Sequence, residues 1–189
     1  MSTKYLLNSE TLLNFDLLLK EISSACGHVK THQTPYGKNI NVDQYQQTEI
    51  KKMYDSWKDA GYIEQNVIEW TNYYPDQHFT RNLLTPLIDR LSVSAKNIWI
   101  SGISPGKCVP WHWDIESNSQ SWSREGKIKR FTVFIDPPKL GHIFVVGNQC
   151  FYLVEQGSVF EWNEWNDYHL GVNCGFDPKY ILHIIGVSR

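Results

Sequence analysis

The sequence predicts a mainly β protein with flanking helices, in which a double-stranded β-helix (a jelly roll) is buttressed by N-terminal helices. Apolar residues recur at helical spacing up to about residue 96 and in short, strand-length runs from residue 97 onward. About eight such runs follow closely, separated by turns rich in Gly and Pro. No repeat or linker interrupts the chain, which predicts one domain over 1–189, with 1–96 as the helical buttress and 97–189 as the core.

Three helices are predicted before residue 97. Their apolar stripes are Leu12, Phe15, Leu19 and Ile22; Ile50, Met53, Tyr54 and Trp57; and Leu83, Leu84, Leu87, Ile88 and Leu91. Gly61 is expected to end the second helix, and Pro86 is expected in the first turn of the third, where proline is tolerated. Residues 28–43 predict a loop, and the aromatic run 70–75 predicts an irregular lip.

Strands are predicted from the apolar runs that follow residue 97. They span residues 98–100, 109–115, 128–135, 142–146, 151–154, 158–162, 168–172 and 180–187. Polar residues 116–127 separate the second strand from the third and predict a loop. Strands of this length and spacing are typical of a jelly roll or a barrel.

The composition narrows the class of function. With 18 Lys and Arg against 20 Asp and Glu, the net charge of -2 disfavours a nucleic-acid polymer as partner. The leucines of residues 1–20 are interrupted by polar side chains, so no signal peptide is expected, and no stretch is apolar enough for a membrane span. The four cysteines are widely spread and predict reduced, buried thiols, with the cytoplasm as the expected location. Nothing in the sequence indicates an oligomeric state.

A candidate metal site begins at His112 and Asp114. On an extended strand these two side chains point to the same side, because side chains alternate between faces. Together they offer two ligands of the 2-His-1-carboxylate triad, which binds non-heme Fe(II) and leaves coordination positions open. His169, on a later strand, is the best candidate for the third ligand. A lone His-x-Asp arises often by chance, so the strand context and His169 carry the prediction.

Two cations are candidates for binding a co-substrate. A facial triad leaves positions for O2 and for a dicarboxylate such as 2-oxoglutarate, whose far carboxylate would need a cation inside the barrel. Lys179 begins the last strand, ten residues beyond His169. Arg130 lies near the start of the strand predicted at 128–135 and is in phase with Thr132. Either cation alone is more typical of a solvated strand end, but together with the triad they favour a co-substrate role.

These motifs resemble those of the Fe(II)/2-oxoglutarate-dependent oxygenases, and within them the aspartyl/asparaginyl β-hydroxylase group. The matching stretches are Pro105-Gly106, Pro110-Trp111-His112, Arg130-x-Thr132, Pro138-Lys139-Leu140-Gly141, Gln156-Gly157, Asp167-Tyr168-His169 and Lys179. The chain departs from the group in having Lys179 where Arg is usual, and Thr132 where the group has His. Some members lack the acidic ligand that Asp114 supplies here. The resemblance covers just under half of the chain.

The resemblance implies an oxidative reaction. O2 and 2-oxoglutarate would be consumed, succinate and CO2 released, and an unactivated C–H bond hydroxylated, with His112, Asp114 and His169 as catalytic metal ligands. It implies 2-oxoglutarate contacts from Lys179, Arg130 and Thr132.

The expected substrate is a small polar molecule or a peptide side chain. Trp122, for stacking, and Arg124, as a cation, are the candidate contacts in the polar loop, and the aromatic run 70–74 is a candidate opposite wall. Nucleobases stay open as substrates, because stacked aromatic rings would suit them equally. A cupin-type metal-binding or sugar-binding protein without redox turnover, or a cupin isomerase, is the alternative to the oxygenase.

Overall fold

The structure, a computed structural model, describes residues 3–10, 12–23, 28–32, 44–62, 70–74, 77–114, 116 and 118–189. Its helices are α1 (Phe15–Ser23), α2 (Gln44–Asp59), α3 (Gln77–Leu91) and α4 (Ser119–Glu125). Its strands are β1 (Thr3–Asn8), β2 (His28–His32), β3 (Trp70–Tyr74), β4 (Val93–Ile103), β5 (Lys107–His112), β6 (Ile128–Phe134), β7 (His142–Val146), β8 (Gln149–Tyr152), β9 (Ser158–Trp162), β10 (His169–Asn173) and β11 (Lys179–Ser188).

Two antiparallel sheets form the body of the protein. The larger has seven strands in the order β1-β9-β6-β11-β4-β3-β2, and the smaller has four in the order β5-β10-β7-β8. From β4 to β11 the chain therefore supplies four neighbouring strands to each sheet, interleaved in sequence. This arrangement is the double-stranded β-helix, and the predicted fold class is confirmed.

Three strands were not expected, and all three lie in the N-terminal half. β1 adds to one edge of the larger sheet by pairing with β9, while β3 and β2 add to the other edge beyond β4. The prediction of a lip was therefore wrong for residues 70–74, and the prediction of a loop was wrong for residues 28–32; residue 75 and residues 33–43 lie outside the described residues. Strand formation depends on the partner edge that the folded sheet offers, and hydrophobic spacing along one segment does not report that edge.

The three N-terminal helices are confirmed. α1 and α3 cover the larger sheet, where Leu18, Leu84 and Leu87 pack with Val133 and Leu182 in one core cluster. α2 packs elsewhere and brings Tyr54 and Trp57 against β4 and β5. The described part of residues 1–96 thus combines helices with added strands.

Among the local details at the helices, Gly61 agrees with the prediction, whereas Pro86 and the polar segment 116–127 do not. Gly61 follows α2 with a φ of 88°, the left-handed conformation expected of a glycine at this end. Pro86 lies inside α3 and not in its first turn. The short helix α4 occupies part of the polar segment that was predicted as a loop.

Two further expectations concern the burial of the cysteine thiols and the absence of a membrane-spanning segment. Cys108 is a buried free thiol, but Cys150 and Cys174 are exposed, so the expectation of buried thiols was wrong for these two; Cys26 lies outside the described residues. Among the helices that the structure describes, none is long and apolar enough to cross a membrane.

Candidate metal centre

The pairing of β5 with β10 brings two of the predicted ligands together. His112 and His169 are register partners on these antiparallel strands, and their ring centroids are 4.1 Å apart. Asp114 follows two residues after the end of β5, so the prediction that this strand continues through Asp114 was wrong. Even so, one potential ligand atom from each of His112, Asp114 and His169 lies within 4.8 Å of the other two.

Backbone carbonyls orient both imidazoles. Nδ1 of His112 lies 2.7 Å from the carbonyl oxygen of Pro110, and Nδ1 of His169 lies 3.0 Å from that of Asp167. Because a carbonyl can only accept, Nδ1 is the protonated nitrogen in each ring and Nε2 keeps its lone pair. The two Nε2 atoms lie 3.7 Å and 3.8 Å from the carboxylate oxygens of Asp114. The two Nε2 lone pairs and the carboxylate of Asp114 therefore lie close together, as three ligands of one metal ion must.

Burial keeps these imidazoles neutral. It lowers the pKa of His112 below its ordinary value and that of His169 well below it, more than the nearby carboxylate raises them. A neutral imidazole is the form that binds a metal, and two imidazoles with one carboxylate form the donor set of non-heme Fe(II) sites. The residues present thus fit a divalent transition metal.

Asp114 also contacts the buried guanidinium of Arg130. Nη1 of Arg130 donates to Oδ2 of Asp114, and Arg130 is only 1% exposed. The guanidinium carbon lies 3.8 Å from the ring centroid of Trp162 and 5.0 Å from that of Trp99. Burial alone would raise the pKa of the Asp114 carboxyl, but the charge of Arg130 holds that pKa well below its usual range. Asp114 is therefore ionised and ready to bind a cation.

The triad opens into a cavity between the two sheets. Its walls are formed by Trp99, Ser101, Ile103, Val109, His112, Asp114, Arg130, Phe144, His169, Gly171, Lys179, Ile181 and His183. Polar and ionisable side chains make up about half of this lining, and the remaining residues are apolar, aromatic or glycine.

Lys179 is the second buried cation of this cavity. It is 3% exposed, donates from Nζ to the backbone carbonyl of Ile143, and lies 5.5 Å from the ring centroid of Phe144. Burial lowers its pKa to about 7. Gly171 leaves room beside it, since a Cβ there would lie 3.7 Å from Nζ and 2.7 Å from Cδ1 of Ile103. The absence of a side chain at Gly171 therefore leaves space beside the ammonium of Lys179.

The remaining predicted residues lie outside this cavity lining. Thr132 accepts a hydrogen bond of 2.8 Å from Nε1 of Trp162. Trp122 is buried with Trp99 and Val187, so the structure corrects the expectation that its ring is free to stack on a substrate. Arg124 is exposed on α4, and its proposed contact with a substrate stays a prediction.

Sequence reasoning missed two residues that shape the site. His183 is 3% exposed and lines the cavity, with its ring stacked on that of Trp99 at 5.0 Å. Its even spacing from Lys179 on β11 was the available signal. Trp57 of α2 meets the ring of His112 edge-on at 5.8 Å and donates from Nε1 to the carbonyl of Trp111 at 2.9 Å. Trp57 gave no functional signal, because it belongs to an ordinary helical stripe.

Comparisons with known proteins found similarity only among solved structures. No protein-family model matches the chain, and no curated protein matches it. Similar structures include a viral collagen prolyl hydroxylase from Paramecium Bursaria Chlorella virus-1, crystallised with 2OG, at 10% identity and a TM-score of 0.46, covering 100% of this chain and 97% of that one.

Two further solved structures are also similar to this chain. A 2OG-Fe(II) oxygenase family oxidoreductase from Burkholderia pseudomallei is 10% identical with a TM-score of 0.43, covering 93% of this chain and 94% of that one. A predicted oxalate decarboxylase from Thermotoga maritima is 15% identical with a TM-score of 0.36, covering 63% and 81%. The comparisons do not show the resemblance to the aspartyl/asparaginyl β-hydroxylase group, which stays a prediction.

Proposed function

We propose that the protein is an Fe(II)/2-oxoglutarate-dependent dioxygenase that hydroxylates an unactivated C–H bond of a small polar or peptide substrate. The observation that carries the proposal is the meeting of His112, Asp114 and His169 at one cavity that also contains the buried cation Lys179. A metal site and a carboxylate-binding cation in the same cavity suit a co-substrate that binds at both ends.

The three ligands would hold Fe(II) through the Nε2 atoms of His112 and His169 and an oxygen of Asp114. Three protein ligands leave coordination positions open for the keto acid and for O2. When bound, iron with these two partners supplies the oxidising power that converts a C–H bond to an alcohol, while 2-oxoglutarate leaves as succinate and CO2. The hydrogen bonds at both Nδ1 atoms keep the imidazoles in the orientation that binding needs.

Lys179 would bind the far carboxylate of 2-oxoglutarate. Its ammonium is buried, and its described hydrogen bond is to the neutral carbonyl of Ile143. An anion would therefore compensate the cost of burying this charge, and a charge-assisted contact contributes about 1.5–3 kcal/mol. Ile103, Phe144 and Ile181 line the same cavity and reduce the access of water to this ion pair.

The substrate class is proposed from the resemblance and from one exposed cation. The resemblance favours an amino-acid derivative or a peptide side chain. Arg124 is exposed on the segment that follows Asp114, where it is available to a carboxylate of a substrate that enters from solvent. A panel of free amino acids, peptides containing Asp or Asn, and nucleosides would identify the class by its stimulation of succinate release. Stimulation by nucleosides alone would contradict the amino-acid assignment.

The test of the proposal is oxygen-dependent formation of succinate. Protein loaded anaerobically with Fe(II) would receive labelled 2-oxoglutarate, and labelled succinate would be measured with and without O2, including the slow turnover that occurs without substrate. We expect succinate only when O2 is present, and none from His169→Ala. Stoichiometric metal binding with no 2-oxoglutarate binding and no succinate would instead support the non-redox cupin-type alternative.

A further inference from the structure

The contacts of Arg130 differ from those expected of a residue that binds the co-substrate. Its Nη1 donates to Oδ2 of Asp114, and its Nε has no hydrogen-bond partner among the described residues. Trp162 and Trp99 lie 3.8 Å and 5.0 Å from the guanidinium carbon. The guanidinium therefore has few alternative positions, and its described side-chain partner is already an anion.

Asp114 needs such a partner because of where it lies. The pairing of β5 with β10 ends at His112, and Asp114 follows beyond it. The two histidines are oriented by strand pairing and by carbonyl contacts at Nδ1, whereas Asp114 has neither support. Arg130 comes from β6, in the larger sheet. Its contact therefore connects Asp114, which lies beyond the end of β5 in the smaller sheet, to the larger sheet.

We propose that Arg130 is a positioning residue that orients Asp114 as a metal ligand, and that it is not a binding residue for 2-oxoglutarate. This inference rests on the proposed metal site at the triad. With Oδ2 engaged by Arg130, Oδ1, which lies 3.7 Å from Nε2 of His112, is the oxygen available to the metal. Asp114 then binds through one oxygen and leaves free the positions that the keto acid and O2 require.

The consequence is a division of roles between the two buried cations. Arg130 acts on the metal through Asp114, and Lys179 is left as the cation for the far carboxylate of the co-substrate. Loss of Arg130 should therefore change metal binding, whereas loss of Lys179 should change co-substrate binding. The sequence-based expectation, in which both cations bind 2-oxoglutarate, requires the same effect from both.

The experiment separates these two effects with Co(II) as a spectroscopic probe. Co(II) would be titrated into the wild type, Arg130→Gln and Arg130→Lys, with Lys179→Met as the matched variant that removes the other cation of the cavity. Visible absorption reports both the affinity for Co(II) and the coordination number of the bound ion. The affinity for 2-oxoglutarate would then be measured at saturating Co(II), without O2 and without turnover.

We expect Arg130→Gln to weaken Co(II) binding roughly 10–100-fold, the range seen when a partner of a metal ligand is removed. Its absorption spectrum should change in intensity, Arg130→Lys should lose less affinity, and Lys179→Met should leave both the affinity and the spectrum unchanged. At saturating metal, only Lys179→Met should lose most of its affinity for 2-oxoglutarate.

A contrary result would be equally clear. If Arg130→Gln keeps the affinity and spectrum of the wild type for Co(II) but loses 2-oxoglutarate binding, Arg130 binds the co-substrate and the inference is overturned. If circular dichroism shows that Arg130→Gln does not fold, the same comparison with Arg130→Lys decides. Absence of Co(II) binding by the wild type would overturn the proposed metal site itself, and this inference with it.

Discussion

Arg130 and Lys179 are buried cations of the same cavity, yet they differ in what already neutralises them. Arg130 contacts the carboxylate of Asp114, whereas Lys179 donates to a backbone carbonyl and has no carboxylate within 4.0 Å among the described residues. A buried charge with an anionic partner is already compensated, while one without such a partner carries a desolvation cost that a ligand can offset. The comparison teaches that the contacts of a buried cation, more than its residue type, indicate its role.

The largest effect should come from the metal end of the cavity. His169→Ala removes one of three ligands, so we expect metal affinity to fall by at least about 100-fold and succinate formation to disappear. His142→Ala is the matched control, because His142 lies outside the cavity lining and contacts the carbonyl of Asp177. Equilibrium dialysis with metal analysis provides the measurement. Full metal occupancy in both His112→Ala and His169→Ala would place the site elsewhere.

The loss of Lys179 should give the next largest effect. Lys179→Met removes the ammonium and keeps an unbranched side chain, so the dissociation constant of 2-oxoglutarate should rise about 10–100-fold, matching a charge-assisted contact of about 1.5–3 kcal/mol. Lys139→Met is the control, since Lys139 is a more exposed lysine that lies 3.8 Å from Asp136. Isothermal titration in the presence of Mn(II) would measure both. An unchanged constant in Lys179→Met would refute this role.

The same lysine predicts a dependence of co-substrate binding on pH. Burial lowers the pKa of Lys179 to about 7, against an ordinary value of 10.5. Because a dicarboxylate binds the charged form, binding above about pH 7 takes up a proton and affinity should fall as pH rises, by up to about tenfold per pH unit. The slope should be absent from Lys179→Met. Affinity that stays constant from about pH 7 to about pH 9 in the wild type would contradict this assignment.

The free energy of unfolding should depend on pH with the opposite sign. Between about pH 7 and pH 10.5 the unfolded chain binds more protons at Lys179 than the folded protein does. The free energy of unfolding of the wild type should therefore rise with pH in this window, relative to Lys179→Met. Urea denaturation of both proteins at several pH values would measure the difference.

The smallest effect on function should come from Thr132. Thr132→Val leaves Nε1 of Trp162 without its acceptor, so we expect a loss of about 1–3 kcal/mol in the free energy of unfolding. The constant for 2-oxoglutarate should stay close to that of the wild type, since Thr132 does not line the cavity. A large rise in that constant without loss of stability would restore Thr132 as a co-substrate contact.

The sequence was sufficient to predict the β core and the close approach of His112, Asp114 and His169. Both are local signals: strands of 4–8 residues between Gly and Pro turns, and ligand residue types on strands that a jelly roll brings together. β1, β2 and β3 were missed because an edge strand depends on the edge to which it pairs. The sequence does not show which side chains meet across the barrel, so the contact of the Arg130 guanidinium with Asp114 was not predicted.

Burial explains the remaining errors. Trp122 was expected to face a substrate because its segment is polar, yet it packs in a cluster with Ile185 and Val187. His183 received no role because a lone histidine is usually a surface or core group, yet it lines the cavity. Neither outcome follows from residue type, since each depends on how α4 and β11 meet the rest of the barrel.

An anaerobic titration of 2-oxoglutarate into the Fe(II)-loaded protein, followed by visible absorption, tests directly whether the cavity binds the co-substrate at the metal. Chelation of Fe(II) by a keto acid produces a charge-transfer band that neither partner shows alone. We predict a band that saturates at one equivalent of 2-oxoglutarate per protein in the wild type, is absent in His169→Ala, and requires far more co-substrate in Lys179→Met. Full Fe(II) occupancy of the wild type without such a band would contradict the claim that this cavity binds 2-oxoglutarate at the metal.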